Sequence, residues 1–422
     1  MQCMGMPTNC KFIGGLKTTL LLVIVGVCLF GYALCYHAKT GTVLSIVEVF
    51  FKRSDTQWMF CSYLAIWCGC FIALSFGLKD ITLLGLLLIA AAMYVTNYDF
   101  SFRPANAVVF LGGITLGRGT QFLLHSGNSS GLQPSIFNSQ PFLIGLIGLL
   151  AFESWWHLDM SDNYYHGPRW MGLCDNPNTY GMLMGAGGLL AIGLLAANAK
   201  FKIRNSKTNW FLGIAVFMLG VGLVMSYSRG AWLGAAIGLS YLAWNYGKLK
   251  WWYVLPVAAV AAVVVLFLWG STPDSAPWYV KRADLGRPSA QHRATAWRTG
   301  LEIMRDHPFG VGWNNAVSVY VKDYSPPEDG AAALTTNDYL MLGPELGIVA
   351  LVCFVSYCVL CLRGKCRMEN EEGRIQAACR TGAIVFLVAF WFDGGLFKLP
   401  TAALFWVLLE LGAFRKRILL KE

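Results

Sequence analysis

Residues 209–246 read NWFLGIAVFMLGVGLVMSYSRGAWLGAAIGLSYLAWNY, and this stretch decides the class of fold. It contains a single charged residue, Arg229. A hydrocarbon layer about 30 Å thick is crossed by about 20 apolar residues of helix. The runs 209–227 and 230–246 approach that length on either side of the Ser226–Gly230 turn, so the stretch predicts two membrane spans joined by a short outer turn. Working outward, comparable runs occupy 17–36, 57–77, 81–95, 105–124, 141–155 and 178–197 on one side. On the other they occupy 251–270, 341–362, 378–393 and 398–413. With the first pair the expectation is twelve spans. The piece 42–51 is too short to span and reads as interfacial or re-entrant.

Composition agrees. Of 422 residues, 56% are hydrophobic and 13% charged, and the mean hydropathy is +0.52. A soluble chain carries about 25% charged residues, so a string of water-soluble domains is excluded. The expected class is an all-α integral membrane protein. Its organisation is 1–270 membrane helices, 271–340 a large periplasmic loop with an amphipathic helix near 290–306, and 341–422 the last membrane helices and a cytoplasmic tail.

The net charge of +10 is mostly a topology signal. Basic residues gather in alternate links: Lys11 and Lys17; Lys79; Lys200, Lys202, Arg204 and Lys207; Lys248 and Lys250; Arg363 to Arg380; Arg415 to Lys421. The positive-inside rule then puts both termini in the cytoplasm, and nucleic acid is not needed to explain the charge. The 17–35 segment has no small-residue cleavage site after it and reads as a retained first helix. The 13 cysteines lie mostly in or beside spans. Cys358 and Cys361 form a C-x-x-C without accompanying histidine, which reads as packing and implies neither a metal nor a disulfide.

Of the stretches this topology exposes outside, three draw attention: 157–177, the turn 226–230 and the loop 271–340. Within residues 281–305 of the loop, Lys281, Arg282, Arg287, Arg293, Arg298 and Arg305 are opposed only by Asp284 and Glu302. A cationic patch on the outer side is the reverse of the rule, and a polyanionic ligand is a physical reason for it. Ala294, Trp297, Leu301 and Met304 recur at helical spacing, predicting a helix that rests its Trp297 side on the membrane domain. The competing reading is an interfacial helix whose arginines snorkel to lipid phosphates. Arg229 lies at the hydrocarbon boundary, where an arginine is costly unless it snorkels, pairs or faces a wet cavity. Gly230 beside it permits a tight turn or a close approach.

Four motifs follow in order: Gly172-Leu-Cys-Asp-Asn-Pro-Asn-Thr-Tyr-Gly181; Ser226-Tyr-Ser-Arg-Gly-Ala-Trp-Leu-Gly234; Arg293-Ala-Thr-Ala-Trp297 running to Asp306-His-Pro-Phe-Gly-Val-Gly312; and Thr336-Asn-Asp-Tyr-Leu-Met-Leu-Gly-Pro-Glu-Leu-Gly347. The series resembles the bacterial O-antigen ligase and polymerase superfamily over about residues 169–350. The resemblance implies a GT-C-like glycosyltransferase of the bacterial inner membrane that needs no cofactor and no metal. It would move a glycan, with inversion, from a polyprenyl-diphosphate carrier to a hydroxyl at the periplasmic face. The first reading is an O-antigen ligase with a lipid A–core acceptor; the alternatives are a polysaccharide polymerase and a protein O-oligosaccharyltransferase. The family's two arginines map onto Arg229 and Arg293, which would hold the diphosphate.

One position departs from the family pattern. Where the family carries His-Asn, this chain has Thr336 and Asn337, and threonine is no base near neutral pH. Asp338 is the first candidate to take the acceptor's proton; His292, His166 and His307 are others, and little base assistance is a third option. Asp338 could instead cap the following helix. Arg169, Arg298, Trp297, Thr336 and Asn337 are the further candidates for substrate binding. Arg118, Glu153, Asp393 and Glu410 lie in or at the ends of spans, where they either pair internally or line a cavity. The expected partners are the lipid-linked glycan donor, a lipid-linked or glycan acceptor and membrane lipid. A transporter or flippase for an anionic lipid or small anion is the rival of another class.

Overall fold

The computed structural model describes residues 78–96, 105–126, 139–156, 169–174, 176–200, 206–247, 288–324, 331–364, 366 and 368–413. The expected spans 17–36, 57–77 and 251–270, the 42–51 piece, loop residues 271–287 and the 414–422 tail lie outside them. Among the described residues the protein is helical and holds no β-strand. The helices are α1 (Leu78–Thr96), α2 (Ala105–Ser126), α3 (Ser139–Trp156), α4 (Pro177–Lys200), α5 (Ser206–Met225) and α6 (Arg229–Asn245). They continue as α7 (Pro288–Asp306), α8 (Asp338–Leu346), α9 (Ile348–Leu362), α10 (Glu371–Ala389) and α11 (Leu399–Ala413). Between α7 and α8 come the short turns Ala316–Val319, Tyr320–Tyr324 and Ala331–Thr336.

Pro177–Asn198 and Lys207–Met225 are long and apolar enough to cross a membrane, and Gln140–Ser154, Ile348–Leu362 and Leu399–Ala413 are shorter apolar helices. The bundle's outer surface is apolar too. Trp210 is 71% exposed, Phe217 72%, Leu88 61% and Val352 58%. Side chains of this kind at such exposure mark a surface solvated by lipid.

Two expected spans are drawn differently. The run 341–362 is two helices: α8 stops at Leu346, Gly347 turns at φ 90°, and α9 begins at Ile348. A Cβ on Gly347 would lie 2.7 Å from the Pro308 carbonyl oxygen, and one on Gly310 (φ 86°) 2.5 Å from that of Glu345. The 308–312 segment therefore closes on the helix break. Val311 N donates to Pro344 O (2.8 Å) and Gly312 N to Glu345 O (2.9 Å), which satisfies carbonyls at the end of α8, and Ile348 N, which opens α9, donates to Pro308 O (3.0 Å). The run 378–393 also differs, because α10 begins at Glu371 and ends at Ala389. Phe390, Trp391 and Phe392 prolong the apolar signal past the end of the helix, into a 390–398 turn.

At the centre, α10 packs against α4, α6 and α11, while α2 packs on α11 and α1 on α9. Glycine allows the closest approach. A Cβ on Gly117 of α2 would stand 2.6 Å from the Trp406 carbonyl oxygen, and one on Gly234 of α6 2.6 Å from that of Val385. Small residues at crossings are how membrane helices gain packing without a hydrophobic driving force between them. Cys358, Cys361 and Cys379 are free and buried in this packing.

Helix α7 lies across α8 and the Ala331–Thr336 turn. Trp297 meets Trp391 edge to face, with ring centroids 5.9 Å apart, so this side of the helix rests on the 390–398 turn. Met304 of the expected stripe is buried, but its other two members are displaced. Ala294 and Leu301 are exposed, and the buried face is Ala296, Thr299, Gly300, Ile303 and Met304. A small face fits here because Leu334 and Leu340 crowd Gly300, at 3.3 and 3.4 Å from where its Cβ would be. Size selected the contact, over hydrophobicity.

Candidate active site

Several links converge at one end of the bundle on a cavity of ≈ 450 Å³. Its lining includes Asn106, Arg169, Asn176, Asn178, Arg293, Thr335, Thr336, Asp338, Met341, Asp393, Phe397 and Lys398. These residues come from the start of α2, the link before α4, helix α7, the α7–α8 link with the start of α8, and the 390–398 turn.

The first wall is a chain of ionic and amide groups. Arg169 is almost fully buried; its Nε donates to Ser226 O (2.9 Å) and its Nη2 to Asn178 Oδ1 (2.6 Å). Asn178 Nδ2 donates to Asp393 Oδ1 (2.6 Å), and Arg293 Nη2 approaches the same oxygen at 3.5 Å. Lys398 Nζ donates to Thr179 Oγ1 at 3.2 Å. Gly172, at φ 56°, and Cys174, whose thiol donates to Glu153 Oε1 (3.3 Å), shape the turn that delivers Asn176 and Asn178. Asn176 Oδ1 then accepts from Asn178 N at 2.8 Å, an Asx turn.

The Ser226–Arg229 turn closes over this wall. Ser226 Oγ accepts from Ser228 N (3.2 Å), and Ser228 Oγ caps α6 by accepting from Ala231 N (3.3 Å). Gly230 makes the close approach expected of it: a Cβ there would be 3.2 Å from Asp393 Oδ2. Arg229 itself is exposed at the edge of the site and does not line the cavity. Its charge nevertheless acts on Arg293 and Asp393. Burial raises the Asp393 carboxyl to about 6, against the pull of Arg293, Arg169, Arg229 and Lys398. Four cations thus surround one carboxylate, and the wall carries surplus positive charge.

Asp338 forms the second wall. The helix cap is Asn337, whose Oδ1 accepts from Tyr339 N (3.0 Å) and Leu340 N (3.1 Å), so the capping role considered for Asp338 belongs to its neighbour. Asp338 reaches the 390–398 turn instead. Its Oδ2 accepts from Gly395 N (2.7 Å) and Leu396 N (2.8 Å), while its own N donates to Phe390 O (2.9 Å). Burial raises this carboxyl to about 7, although the two amides and Lys398 pull it down. A carboxyl that exchanges its proton near neutral pH, with one oxygen left over, suits general base work.

Of the candidates named from sequence, the fold brings Arg169, Arg293, Thr336 and Asp338 together. Asn337 is buried as the cap, Trp297 is held by Trp391, and Arg298 is exposed and paired with Glu302 at 3.2 Å. Asn106, Asn178 and Lys398 were missed, and Asp393 was seen only as a span-end charge. Among the described residues no group of three or more His, Cys, Asp and Glu side chains is arranged to hold a metal ion.

Residues 214–355, from α5 to α9, match the family model described as O-antigen ligase. Over that stretch the chain is similar to the O-antigen ligase family. The matched stretch carries Arg229, Arg293, Thr336 and Asp338, whereas Arg169, Asn178, Asp393 and Lys398 lie on either side of it. The chain matches none of the curated proteins searched. The match and the apolar bundle together support a membrane protein of the O-antigen ligase or polymerase type.

Proposed function

We propose that the protein is a membrane glycosyltransferase working at the periplasmic face of the bacterial inner membrane. It transfers a glycan from a polyprenyl-diphosphate carrier to an acceptor hydroxyl, with O-antigen ligation to lipid A–core as the first assignment. The observation that carries the reading is the juxtaposition, in one cavity, of a cation-rich wall and Asp338. Every lining residue belongs to a link, or to a helix end beside it, that the charge pattern assigns to the outer side, which supports a periplasmic site.

In this reading Arg293, Arg169 and Lys398 hold the diphosphate, and Arg229 guards its entry from the membrane side. The acceptor oxygen attacks the anomeric carbon as the carbon–oxygen bond to the diphosphate breaks. The bonding pair leaves with the diphosphate, whose growing charge the cations stabilise. The acceptor's proton passes to Asp338. Attack opposite the leaving group inverts the anomeric centre, and no metal takes part in the proposed steps.

The full chain in lipid nanodiscs, given a defined polyprenyl-diphosphate glycan, tests this directly. Glycan should appear on lipid A–core and the free carrier diphosphate should accumulate in equal amount. Transfer only onto a second lipid-linked glycan reassigns the protein as a polymerase, and transfer onto a protein hydroxyl as an O-oligosaccharyltransferase. Protein-dependent movement of the lipid across the bilayer with no transferred product overturns the enzyme reading in favour of a flippase.

A further inference from the structure

One of the neutral polar groups in the cavity is held by a buried carboxyl and has no part in the scheme above. Asn106, at the start of α2, lines the cavity. Its Nδ2 donates to Glu345 Oε1 at 3.2 Å, and its Oδ1 takes no hydrogen bond among the described residues. Glu345 is fully buried; Oε1 also accepts from Asn314 N (3.1 Å), and Oε2 is without a partner among the described residues. A buried carboxyl with an oxygen left over is a cost to the fold. Local rules broken in this way concentrate where function requires them.

The arrangement orients the amide. With one of its two amide hydrogens given to Glu345, Asn106 keeps an accepting oxygen for a ligand. That oxygen is repelled by a diphosphate and welcomes a hydroxyl, so Asn106 belongs to a different subsite from the cations. Its position on the cavity wall follows from α8. Asp338, Met341 and Glu345 are spaced i, i+3 and i+7, which puts them on one face of that helix. Asp338 and Met341 line the cavity directly, and Glu345 reaches it through Asn106.

We infer that Asn106, positioned by Glu345, receives a second hydroxyl of the acceptor, next to the hydroxyl that attacks. The acceptor is then a carbohydrate with neighbouring hydroxyl groups, and an isolated serine or threonine hydroxyl fits poorly. This inference rests on the function proposed above, in which the acceptor lies along the Asp338 wall.

The experiment compares a sugar acceptor with its analogue lacking the neighbouring hydroxyl, using the full chain in nanodiscs with saturating donor. For the wild type, removing that hydroxyl should raise the acceptor KM about tenfold, the size of one lost hydrogen bond. Asn106→Ala should raise the KM for the intact acceptor by the same factor and no longer distinguish the two acceptors, while donor KM and kcat change little. Glu345→Leu should copy Asn106→Ala, and Glu345→Gln, which keeps an accepting oxygen, should recover the affinity in part. Normal transfer by Asn106→Ala with an unchanged acceptor KM, or a rise confined to the donor KM, overturns the subsite and leaves the glycosyltransferase reading standing. A folded wild type that transfers to no hydroxyl acceptor overturns both. Folding of each variant is read from its size-exclusion profile, and Asn106→Ala decides the matter should Glu345→Leu fail to fold.

Discussion

Among the described residues, two clusters of charge are built on opposite principles. The outer one surrounds Asp393 with Arg169, Arg229, Arg293 and Lys398, and opens into a cavity. The inner one joins Lys79, Asp80, Arg118 and Glu410. Arg118 pairs with Asp80 and, at 3.2 Å, with Glu410; Lys79 reaches Glu410 at 3.3 Å. Both cations also lie over the Tyr357 ring, at 5.9 and 5.8 Å. The same two helices run from the cavity to the inner cluster. From Asn106 to Arg118 along α2, and from Lys398 to Glu410 along α11, each separation is about 18 Å of helix. Two cations against two anions close on themselves and tie α1, α2 and α11 together. A surplus of cations beside a void has charge left for something else. Balance, more than the presence of arginine, separates a structural cluster from a ligand site.

The largest expected effect comes from breaking the balanced cluster. Arg118→Ala leaves Asp80 and Glu410 buried without their main partner, and breaking a buried pair in this way costs about 3–5 kcal/mol. The loss should show as a lower thermal midpoint of the purified protein in detergent. Arg293→Ala should do the reverse. Transfer should fall about 10²–10³-fold, the range for removing one stabilising donor from a developing charge, with the thermal midpoint little changed. Equal thermal losses in the two variants would mean that the outer cluster is structural as well.

Asp338 distinguishes the clusters through pH. With its carboxyl near 7, transfer should fall as pH drops below 7, because the base is then protonated. Stability should run the other way. The folded state holds this proton more tightly than the unfolded chain, so lowering the pH from 8 towards 4 adds stability through this group. Asp338→Asn keeps an oxygen for the Gly395 and Leu396 amides and removes the buried charge. It should abolish the pH dependence of transfer along with most of the activity, and the protein should be no less stable at pH 8. Retained activity with the wild-type pH profile would remove Asp338 from the chemistry.

Much of the outer site was legible in the sequence, for a reason that also explains what was not. The alternation of basic links identifies outer segments one at a time, and Arg169, Arg293, Thr336 and Asp338 each sit on such a segment. Nothing in a sequence says which outer segments meet. Asp393 was hidden at the end of an apolar run because Phe390, Trp391 and Phe392 continue the hydropathy of α10 after its helix has stopped. Asn106 opens a span with no motif around it, and its role depends on Glu345, which is far away in the chain. The pairing of Arg118 with Asp80 and Glu410 was equally invisible, since it depends on three helices arriving at one depth.

The smallest expected effect concerns Arg298, a substrate-binding candidate from the same cationic stretch as Arg293. Arg298 lies in the same cationic loop and on the same helix, five residues along. Five residues is about 500° of turn, so the two point to clearly different sides of α7. Arg293 is half-buried against Asp393, while Arg298 is exposed and engaged by Glu302 one turn away. An exposed i,i+4 pair contributes about 0.3–0.5 kcal/mol. Arg298→Ala should therefore change the thermal midpoint by less than about 2 °C and the donor KM by less than about twofold. A loss of transfer comparable to that of Arg293→Ala would show that the diphosphate is gripped by the loop's net charge, and that the distinction drawn between balanced and surplus charge fails at the outer face.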